Sequence, residues 1–242
     1  MRAMNLTLPP FCTQPDAAWP FAEALEGVGF HSCRFDPAAL DDGDFARCSI
    51  PTTPSIQRSV AKRRAEYLAG RLCARAALQA LTGQTEVPAT GEDRAPVWPA
   101  GIVGSITHGT GQAASVVARA EAWRGLGLDL EQRLEPERAL RLAGEILTEA
   151  ELQRLDALPL EARAERVTLT FSIKESLFKA LYPLVGKRFY FHDAELLAVD
   201  DSARTARLGL LIDLAGEWMT GSELEGHFQL YDDRLLSLVA VR

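Results

Sequence analysis

The order of the predicted secondary-structure elements is the feature that most constrains the fold of this chain. A long helix over residues 55–81 precedes three strand-like runs, and three further helices precede four more. Each half therefore carries helix and several short strands, with no repeat visible in the sequence. The pattern predicts an α+β fold of two similar-sized α/β lobes, which we divide into residues 1–124 and 125–242.

Residues that start and stop helices set the expected helix boundaries. Ser55 predicts the start of the first helix and Gly83 its end. Thr148 and Glu151 are spaced as a capping box, in which each side chain bonds to the other residue's backbone N–H. The other helices are predicted at about residues 136–146 and from about residue 160 to Pro183, because proline interrupts helices.

Turn residues delimit the predicted strands. Gly109-Thr110-Gly111 separates strand-like runs at residues 101–108 and 113–120, a spacing typical of a β-hairpin. Prolines recur through the first 54 residues and leave room only for short elements, such as a strand at residues 29–35. Further strands are predicted at residues 125–131, 194–199, 206–211, 227–231 and 235–241.

The charge and size of the chain exclude several classes of function. A net charge of −7 argues against sequence-independent binding of nucleic acid, so any polyanion site must be a local basic patch. With 242 residues the chain can bury a core without disulfides or a structural metal. The four cysteines are widely spaced, which fits free thiols in a reducing compartment. No signal-like or membrane-spanning run is present, so we expect a cytoplasmic protein.

Asp129 and Glu131 lie in one predicted strand. Residues two apart in a strand point to the same face, so these carboxylates lie side by side while Leu128 and Leu130 point into a core. A divalent cation would relieve their repulsion, and oxygen ligands without His or Cys favour Mg²⁺ or Mn²⁺ over Zn²⁺. Taken alone, an Asp-x-Glu pair is more often two solvated acids at a strand end.

A second group of reactive side chains lies in the last predicted helix. Ser172, Glu175 and Lys179 share one helical face, while Ile173 and Leu177 share another that can enter a core. Taken alone, Glu175 and Lys179 also have the spacing of a surface ion pair.

The first helix is locally basic on an otherwise acidic protein. It holds six basic residues against one acid, and guanidinium groups suit phosphate. By helical count, Arg64, Arg71 and Arg75 share a face, although a solvated face paired with acids elsewhere is the alternative. The six residues are Arg58, Lys62, Arg63, Arg64, Arg71 and Arg75.

The hairpin predicted at residues 101–120 is a second candidate phosphate site. Its tip, GSITHGTG, begins at Gly104, follows Arg94 and offers backbone N–H groups, hydroxyls and His108. It is not a P-loop, because the G-x-x-x-x-G-K-[ST] pattern is missing. There is also no G-x-S-x-G elbow, so acyl hydrolysis has little support.

Two segments in order resemble the bipartite signature of the 4′-phosphopantetheinyl transferases. Gly127-Leu-Asp-Leu-Glu131 is similar to G-[IV]-D-x-E, with Leu128 in place of the usual Ile or Val. About forty residues later, FSIKESLFK at residues 171–179 is similar to [FW]-S-x-K-E-[SA]-x-x-K. Blocks at residues 64–71 and 98–108 also resemble the larger, monomeric class, in its enterobactin-synthase-component-D-like branch.

The resemblance implies a fold, a reaction and partners. The fold would be two α/β lobes in pseudo-twofold arrangement, with coenzyme A and Mg²⁺ in the cleft between them. The enzyme would transfer the 4′-phosphopantetheine arm of coenzyme A to a serine of an apo acyl or peptidyl carrier protein and release 3′,5′-ADP. It would act as a monomer, and the sequence does not indicate which carriers it serves.

The resemblance also assigns roles to individual residues. Asp129, Glu131 and Glu175 fall on metal-ligand positions, with Glu175 and Lys179 as catalytic residues. Lys179 would lie near the reacting phosphate, as a charge or as a general acid. The residues predicted to bind coenzyme A are Arg63, Arg64, Arg71, Arg94, Thr107 and His108, with His108 on its 3′-phosphate; the spacing does not decide among the first three.

Two other functions fit parts of the pattern. A Mg²⁺-dependent phosphohydrolase acting on coenzyme A or a nucleotide would use the same acids with water as nucleophile. A coenzyme A-binding module without activity would need the basic helix and His108 but not Glu175 beside Lys179.

Overall fold

The structure is a computed structural model that describes residues 8–92 and 94–242. Contacts along the chain divide it into two units. The N-unit comprises the residues up to Trp19 together with Gly27–Arg119, and the C-unit comprises Pro20–Glu26 and Ala120–Arg242. The short segment Pro20–Glu26 thus belongs with the second half of the sequence. The first residues of the chain, 1–7, lie outside the described part.

The helices and strands are named here in chain order. The helices are α1 (Asp44–Arg47), α2 (Pro54–Gln57), α3 (Ala61–Thr82), α4 (Pro136–Ile146), α5 (Glu149–Asp156) and α6 (Leu160–Val185). The strands are β1 (Gly29–Arg34), β2 (Ala89–Thr90), β3 (Pro96–Val97), β4 (Ile102–Gly109), β5 (Gln112–Arg119), β6 (Gly125–Gln132), β7 (Ala194–Asp200), β8 (Thr205–Leu210), β9 (Glu223–Leu230) and β10 (Arg234–Val241). The α+β class predicted from the sequence is confirmed.

The N-unit is built on an antiparallel sheet in the order β1-β5-β4, with α3 packed against it. Leu68 and Leu72 of α3 are buried in one cluster with Phe35. Gly109 pairs with Gln112, so the β4–β5 hairpin turns over two residues, and Gly111 has a φ of +70°. The predicted hairpin is confirmed. Gly111 suits this turn because glycine adopts positive φ without strain.

The single long helix predicted at residues 55–81 is wrong. The chain forms two helices, α2 and α3, because α2 ends at Gln57 with Arg58 as its C-cap, and Val60 has extended backbone angles (φ −63°, ψ 155°) as the N-cap of α3. The start predicted at Ser55 is also wrong, because the Thr53 side chain caps α2 by accepting a hydrogen bond from Ile56 N. The end predicted at Gly83 is confirmed, with a φ of +75°.

The C-unit is built on an antiparallel sheet in the order β6-β10-β9-β8-β7. Helix α6 packs on it through Ile173 and Leu177, which are fully buried with Phe228 of β9, as the helical pattern predicted. The end predicted at Pro183 is wrong. The helix continues to Val185 and closes at Gly186, since a proline in the last turn removes only one hydrogen bond.

Two smaller features complete the description. The capping box of Thr148 and Glu151 at the start of α5 is present as predicted. Between α3 and β4, the two short strands β2 and β3 pair with each other in an antiparallel arrangement. Within residues 8–92 and 94–242, no helix is long and apolar enough to cross a membrane.

Candidate active site

Strand β6 presents the acidic pair found in the sequence. Leu128 and Leu130 are buried, and Asp129 and Glu131 point to the opposite side of the strand, as alternation requires. Asp129 is itself only 4% exposed. The first carboxylate is therefore held inside the protein rather than solvated at a strand end.

Helix α6 crosses β6 at very close range. A Cβ placed on Gly127 would overlap the carbonyl oxygen of Ser176 and would lie 2.6 Å from the backbone N of Ala180. Only a residue without a side chain allows this approach. The glycine of the first signature segment thus brings the acidic pair of β6 alongside the polar face of α6.

Both oxygens of the Asp129 carboxylate are held by side chains of α6. Ser172 Oγ donates a hydrogen bond to Oδ2 at 2.8 Å, and Lys179 Nζ donates to Oδ1 at 2.6 Å. Lys179 Nζ also donates to the carbonyl oxygen of Leu128 at 3.1 Å. The hydroxyls of Ser172 and Ser237 lie 2.8 Å apart, which fixes Ser172 in turn. The surface ion pair between Glu175 and Lys179 is not formed, because the lysine pairs with Asp129 instead.

The pKa values of Glu131 and Glu175 are both raised above those of a solvated glutamate. Burial raises the pKa of Glu131 to about 7, the neighbouring carboxylates of Asp129 and Glu175 act in the same direction, and Lys179 opposes them. Burial also raises the pKa of Glu175, which Lys179 lowers and Asp129 raises. Three carboxylates share a partly dry site with one ammonium group, so the site disfavours its own negative charge. A divalent cation would relieve that repulsion.

An aromatic cavity of about 160 Å³ lies beside Glu175 within the C-unit. Phe178 and Phe189 form part of its wall, with ring centroids 5.3 Å apart. Tyr190 is 72% exposed at this cavity. The cavity can therefore accept an apolar chain next to a carboxylate.

The N-unit contains a larger, polar cavity of about 630 Å³. Arg63, Arg71, Arg94 and His108 line it, so four of the residues predicted to bind coenzyme A lie around one space. Glu66 also lines it, and it was not singled out from the sequence as a site residue.

His108 and Arg63 contact each other in this cavity. The Arg63 guanidinium lies 2.6 Å from His108 Nε2, and His108 Nδ1 lies 3.6 Å from Glu66 Oε2. Because a guanidinium only donates, Nε2 accepts, and the proton is on Nδ1 facing Glu66. Arg63, His108 and Glu66 thus contact one another in series along the lining of the polar cavity.

The remaining predicted residues lie elsewhere in the N-unit. Arg64 donates to Asp42 at 2.8 Å, over the ring of Phe45. Thr107 is buried and alternates with His108 on β4, so it points to the other face of the strand. Arg64, Arg71 and Arg75 all lie in α3 at the spacing of one face, but their guanidinium groups reach different partners. Arg75 is buried with the carbonyl oxygen of Cys48, and Arg71 reaches Thr90 at 2.9 Å.

Comparison with known proteins gives matches over most of the chain. Residues 52–118 match the 4′-phosphopantetheinyl transferase N-terminal domain, and residues 125–233 match the 4′-phosphopantetheinyl transferase superfamily. Enterobactin synthase component D of Escherichia coli strain K12 is 40% identical over 161 residues, 66% of this chain and 72% of that protein. The chain belongs to the 4′-phosphopantetheinyl transferase family.

The chain is also similar to other curated transferases and to a solved structure. The transferase is 39% identical over 172 residues to the 4′-phosphopantetheinyl transferase Svp of Streptomyces mobaraensis, which is 71% of this chain and 68% of that protein. It is 34% identical over 173 residues to PptT of Mycobacterium tuberculosis, with 71% and 74% covered. Among solved structures, it is similar to a holo-(acyl-carrier-protein) synthase of Bacillus anthracis in complex with coenzyme A. The match has a TM-score of 0.36 and 25% identity, and it covers 48% of this chain and 93% of that chain.

The transferase moves 4′-phosphopantetheine from coenzyme A to carrier proteins, as the sequence predicted. A phosphohydrolase and a binding module without activity are thereby set aside.

Lys174 is a buried residue of the transferase whose role the sequence did not reveal. Its ammonium donates to Glu151 Oε2 at 2.7 Å and to the carbonyl oxygens of Ile146 at 3.0 Å and Phe191 at 2.8 Å. All three of its protons are used, and burial lowers its pKa while Glu151 raises it. Lys174 thus ties α6, next to Glu175, to the loop that carries the aromatic cavity. The spacing of the capping box identified Glu151 only as a cap.

Proposed function

We propose that Asp129, Glu131 and Glu175 hold the divalent cation of the transfer reaction, with Mg²⁺ as the physiological ion and Mn²⁺ as a substitute. Burial, together with the neighbouring carboxylates of Asp129 and Glu175, raises the pKa of Glu131 to about 7, and this supports the assignment. The donor set consists of carboxylate oxygens, which suits hard cations. When bound there, the cation supplies positive charge that neutralises the pyrophosphate of coenzyme A.

The C-unit side chains have distinct roles in the proposed transfer to a carrier serine. The serine oxygen attacks the phosphorus that bears pantetheine, the bond from that phosphorus to the bridging oxygen breaks, and 3′,5′-ADP leaves with the bridging oxygen. Glu175, which lies on α6 one turn before Lys179, accepts the serine proton. Lys179 orients Asp129, which it contacts at 2.6 Å, and offers positive charge to the leaving phosphate.

The polar cavity of the N-unit is proposed to bind the adenosine 3′-phosphate end of coenzyme A. Arg63, Arg71, Arg94 and His108 supply its positive charge and hydrogen-bond donors. Arg63 and His108 already contact each other, so a phosphate would accept from Arg63 in place of the imidazole. Binding energy at this end is remote from the reacting phosphorus, so it serves to hold the substrate in position.

The aromatic cavity beside Glu175 is proposed to accept the pantetheine arm. Its wall of Phe178, Phe189 and Tyr190 suits the methyl groups and methylenes of the arm. Because Glu175 lines this cavity, an arm bound there would lie beside the proposed base.

One pair of variants tests the chemical assignment. Glu175→Gln should lower the rate of carrier modification by at least about 100-fold, the usual contribution of a general base. Glu161→Gln removes an exposed carboxylate from the first turn of the same helix and should leave the rate within about two-fold. Equal rates for the two variants would contradict the role of Glu175.

Neighbouring arginines test the coenzyme A assignment. Arg63→Ala should raise the KM for coenzyme A by about 10-fold or more, the value of a charge-assisted hydrogen bond, because Arg63 lines the cavity. Arg64→Ala should leave this KM unchanged, because Arg64 pairs with Asp42. With coenzyme A that lacks the 3′-phosphate, the effect of Arg63→Ala should disappear. An equal effect on both substrates would place Arg63 away from that phosphate.

A further inference from the structure

Strand β9 carries polar side chains on the face that does not contact α6. Leu224 and Phe228 point into the core of the C-unit. Since side chains alternate along a strand, Glu225 and His227 point to the opposite face. The proposed transfer mechanism uses neither of them.

The segment Pro20–Glu26 covers His227 on that face. Phe21 is buried, and its ring centroid lies 6.5 Å from that of His227 at an interplanar angle of 59°. The segment is anchored within the C-unit, because Trp123 Nε1 donates to the carbonyl oxygen of Glu26 at 2.9 Å. His227 is therefore only 7% exposed although it lies on the outer side of the sheet.

Glu23 of this segment completes a cluster with Glu225 and His227. One carboxylate oxygen from each glutamate and one ring nitrogen of His227 lie within 4.8 Å of one another. The His227 side chain is thus buried beside two carboxylates, with its ring held against Phe21. The nearest cross-strand cation, Arg207, pairs with Glu223 at 3.3 Å rather than with Glu225.

The chemistry of the cluster matches a metal that accepts nitrogen and oxygen. One neutral imidazole and two carboxylates carry a charge of −2, which a divalent ion would balance. Imidazole favours transition metals such as Zn²⁺ over Mg²⁺, and three protein ligands leave a coordination position for water.

We propose that Glu23, Glu225 and His227 form a second divalent-metal site of the zinc type, which fastens the segment Pro20–Glu26 to the sheet of the C-unit. The site is separate from the carboxylates of β6 and α6, and the proposal does not depend on their role. Its function is structural, because binding to the folded state alone stabilises that state.

Zinc binding to the untagged, full-length protein tests the proposal. Equilibrium dialysis against Zn²⁺ in excess Mg²⁺ should show one Zn²⁺ bound per wild-type chain. Glu23→Gln and His227→Gln should bind this ion at least about 10-fold more weakly. Glu121→Gln, which removes an exposed carboxylate elsewhere in the C-unit, should bind Zn²⁺ as the wild type does. Co²⁺ absorption in the visible range should show the same difference among the variants.

The variants also separate loss of the site from loss of folding. Glu23 is exposed, so Glu23→Gln should fold and keep its carrier-modifying activity in Mg²⁺. Zn²⁺ should raise the Tm of the wild type but not that of Glu23→Gln. Equal zinc affinity and equal Tm shifts in all four proteins would overturn the proposal, since the ion would then be held elsewhere.

Discussion

Gly127 sets the distance between the strand and the helix that carry the acidic cluster, so Gly127→Ala is a sensitive probe of the site. The added Cβ would overlap the carbonyl oxygen of Ser176 and would lie 2.6 Å from Ala180 N, where real Cβ atoms stay beyond 3.0 Å. These obstructing atoms are helix backbone and cannot rotate away. Strand β6 and helix α6 must therefore separate by an amount on the order of 1 Å.

The consequences for stability and activity follow from that separation. Overpacking of a core typically costs about 1–3 kcal/mol, and a clash with backbone places this variant at the upper end, at about 3 kcal/mol or more. For a chain of this size the Tm should fall by about 6–12 °C. The contact between Lys179 and Asp129 spans the same junction, so turnover should fall by about 100-fold as the reacting groups are misplaced.

Gly144→Ala is the matched control. Gly144 lies exposed in α4, and a Cβ there would meet no atom within 4 Å. Replacing glycine in a helix by alanine should stabilise the protein by about 0.5–1 kcal/mol and leave turnover unchanged. Both variants are compared by thermal unfolding and by carrier modification in Mg²⁺. A Gly127→Ala protein with the wild-type Tm and rate would refute the close approach of β6 and α6.

Three further predictions concern charge. In EDTA, Glu131 of the native state should keep a proton that the unfolded state releases between about pH 4.5 and 7, because its pKa is raised by burial. The free energy of unfolding should therefore fall as the pH rises through this window. Urea titrations should show a flatter pH profile for Glu131→Gln, and identical profiles would refute the burial of this carboxyl. Lys174→Met should destabilise the protein by about 3–5 kcal/mol in chemical denaturation, because Glu151 is left as a buried charge without its ion-pair partner. Adding Glu151→Gln to this variant should restore part of the lost stability. A Lys174→Met protein as stable as the wild type would contradict the pairing. Lys179→Ala should lower kcat more than it raises the KM for coenzyme A, and a raised KM with unchanged kcat would place Lys179 on the ground-state substrate alone.

Periodicity and end signals in the sequence predicted most of the fold correctly. The alternation at Asp129 and Glu131, the capping box at Thr148 and the turn at Gly111 depend on residues close in sequence, and the structure has them as predicted. The break between Gln57 and Ala61 was missed because it is short and contains neither proline nor glycine. Residues 58–60 therefore leave no strong compositional signal.

Contacts between distant residues could not be predicted from spacing alone. The partner of Lys179 is Asp129, 50 residues away, and not Glu175 one turn before it. That choice depends on how closely α6 approaches β6 at Gly127. The signature segment contains this glycine, but the sequence does not show which backbone atoms it contacts. Arg64 was grouped with Arg71 by helical count, but the pairing of Arg64 with Asp42 depends on the fold of the proline-rich first segment.

The most direct test of the account is the intact mass of apo carrier proteins, from fatty-acid, peptide and polyketide synthesis, after incubation with this transferase, coenzyme A and Mg²⁺. At least one carrier should gain the mass of one phosphopantetheine arm. The gain should be lost in EDTA, with Ser→Ala in the carrier, and with Asp129→Ala in the transferase. A carrier mass that increases equally in EDTA or with Asp129→Ala would contradict the proposed metal site, and coenzyme A consumed without any gain in carrier mass would contradict the transfer itself.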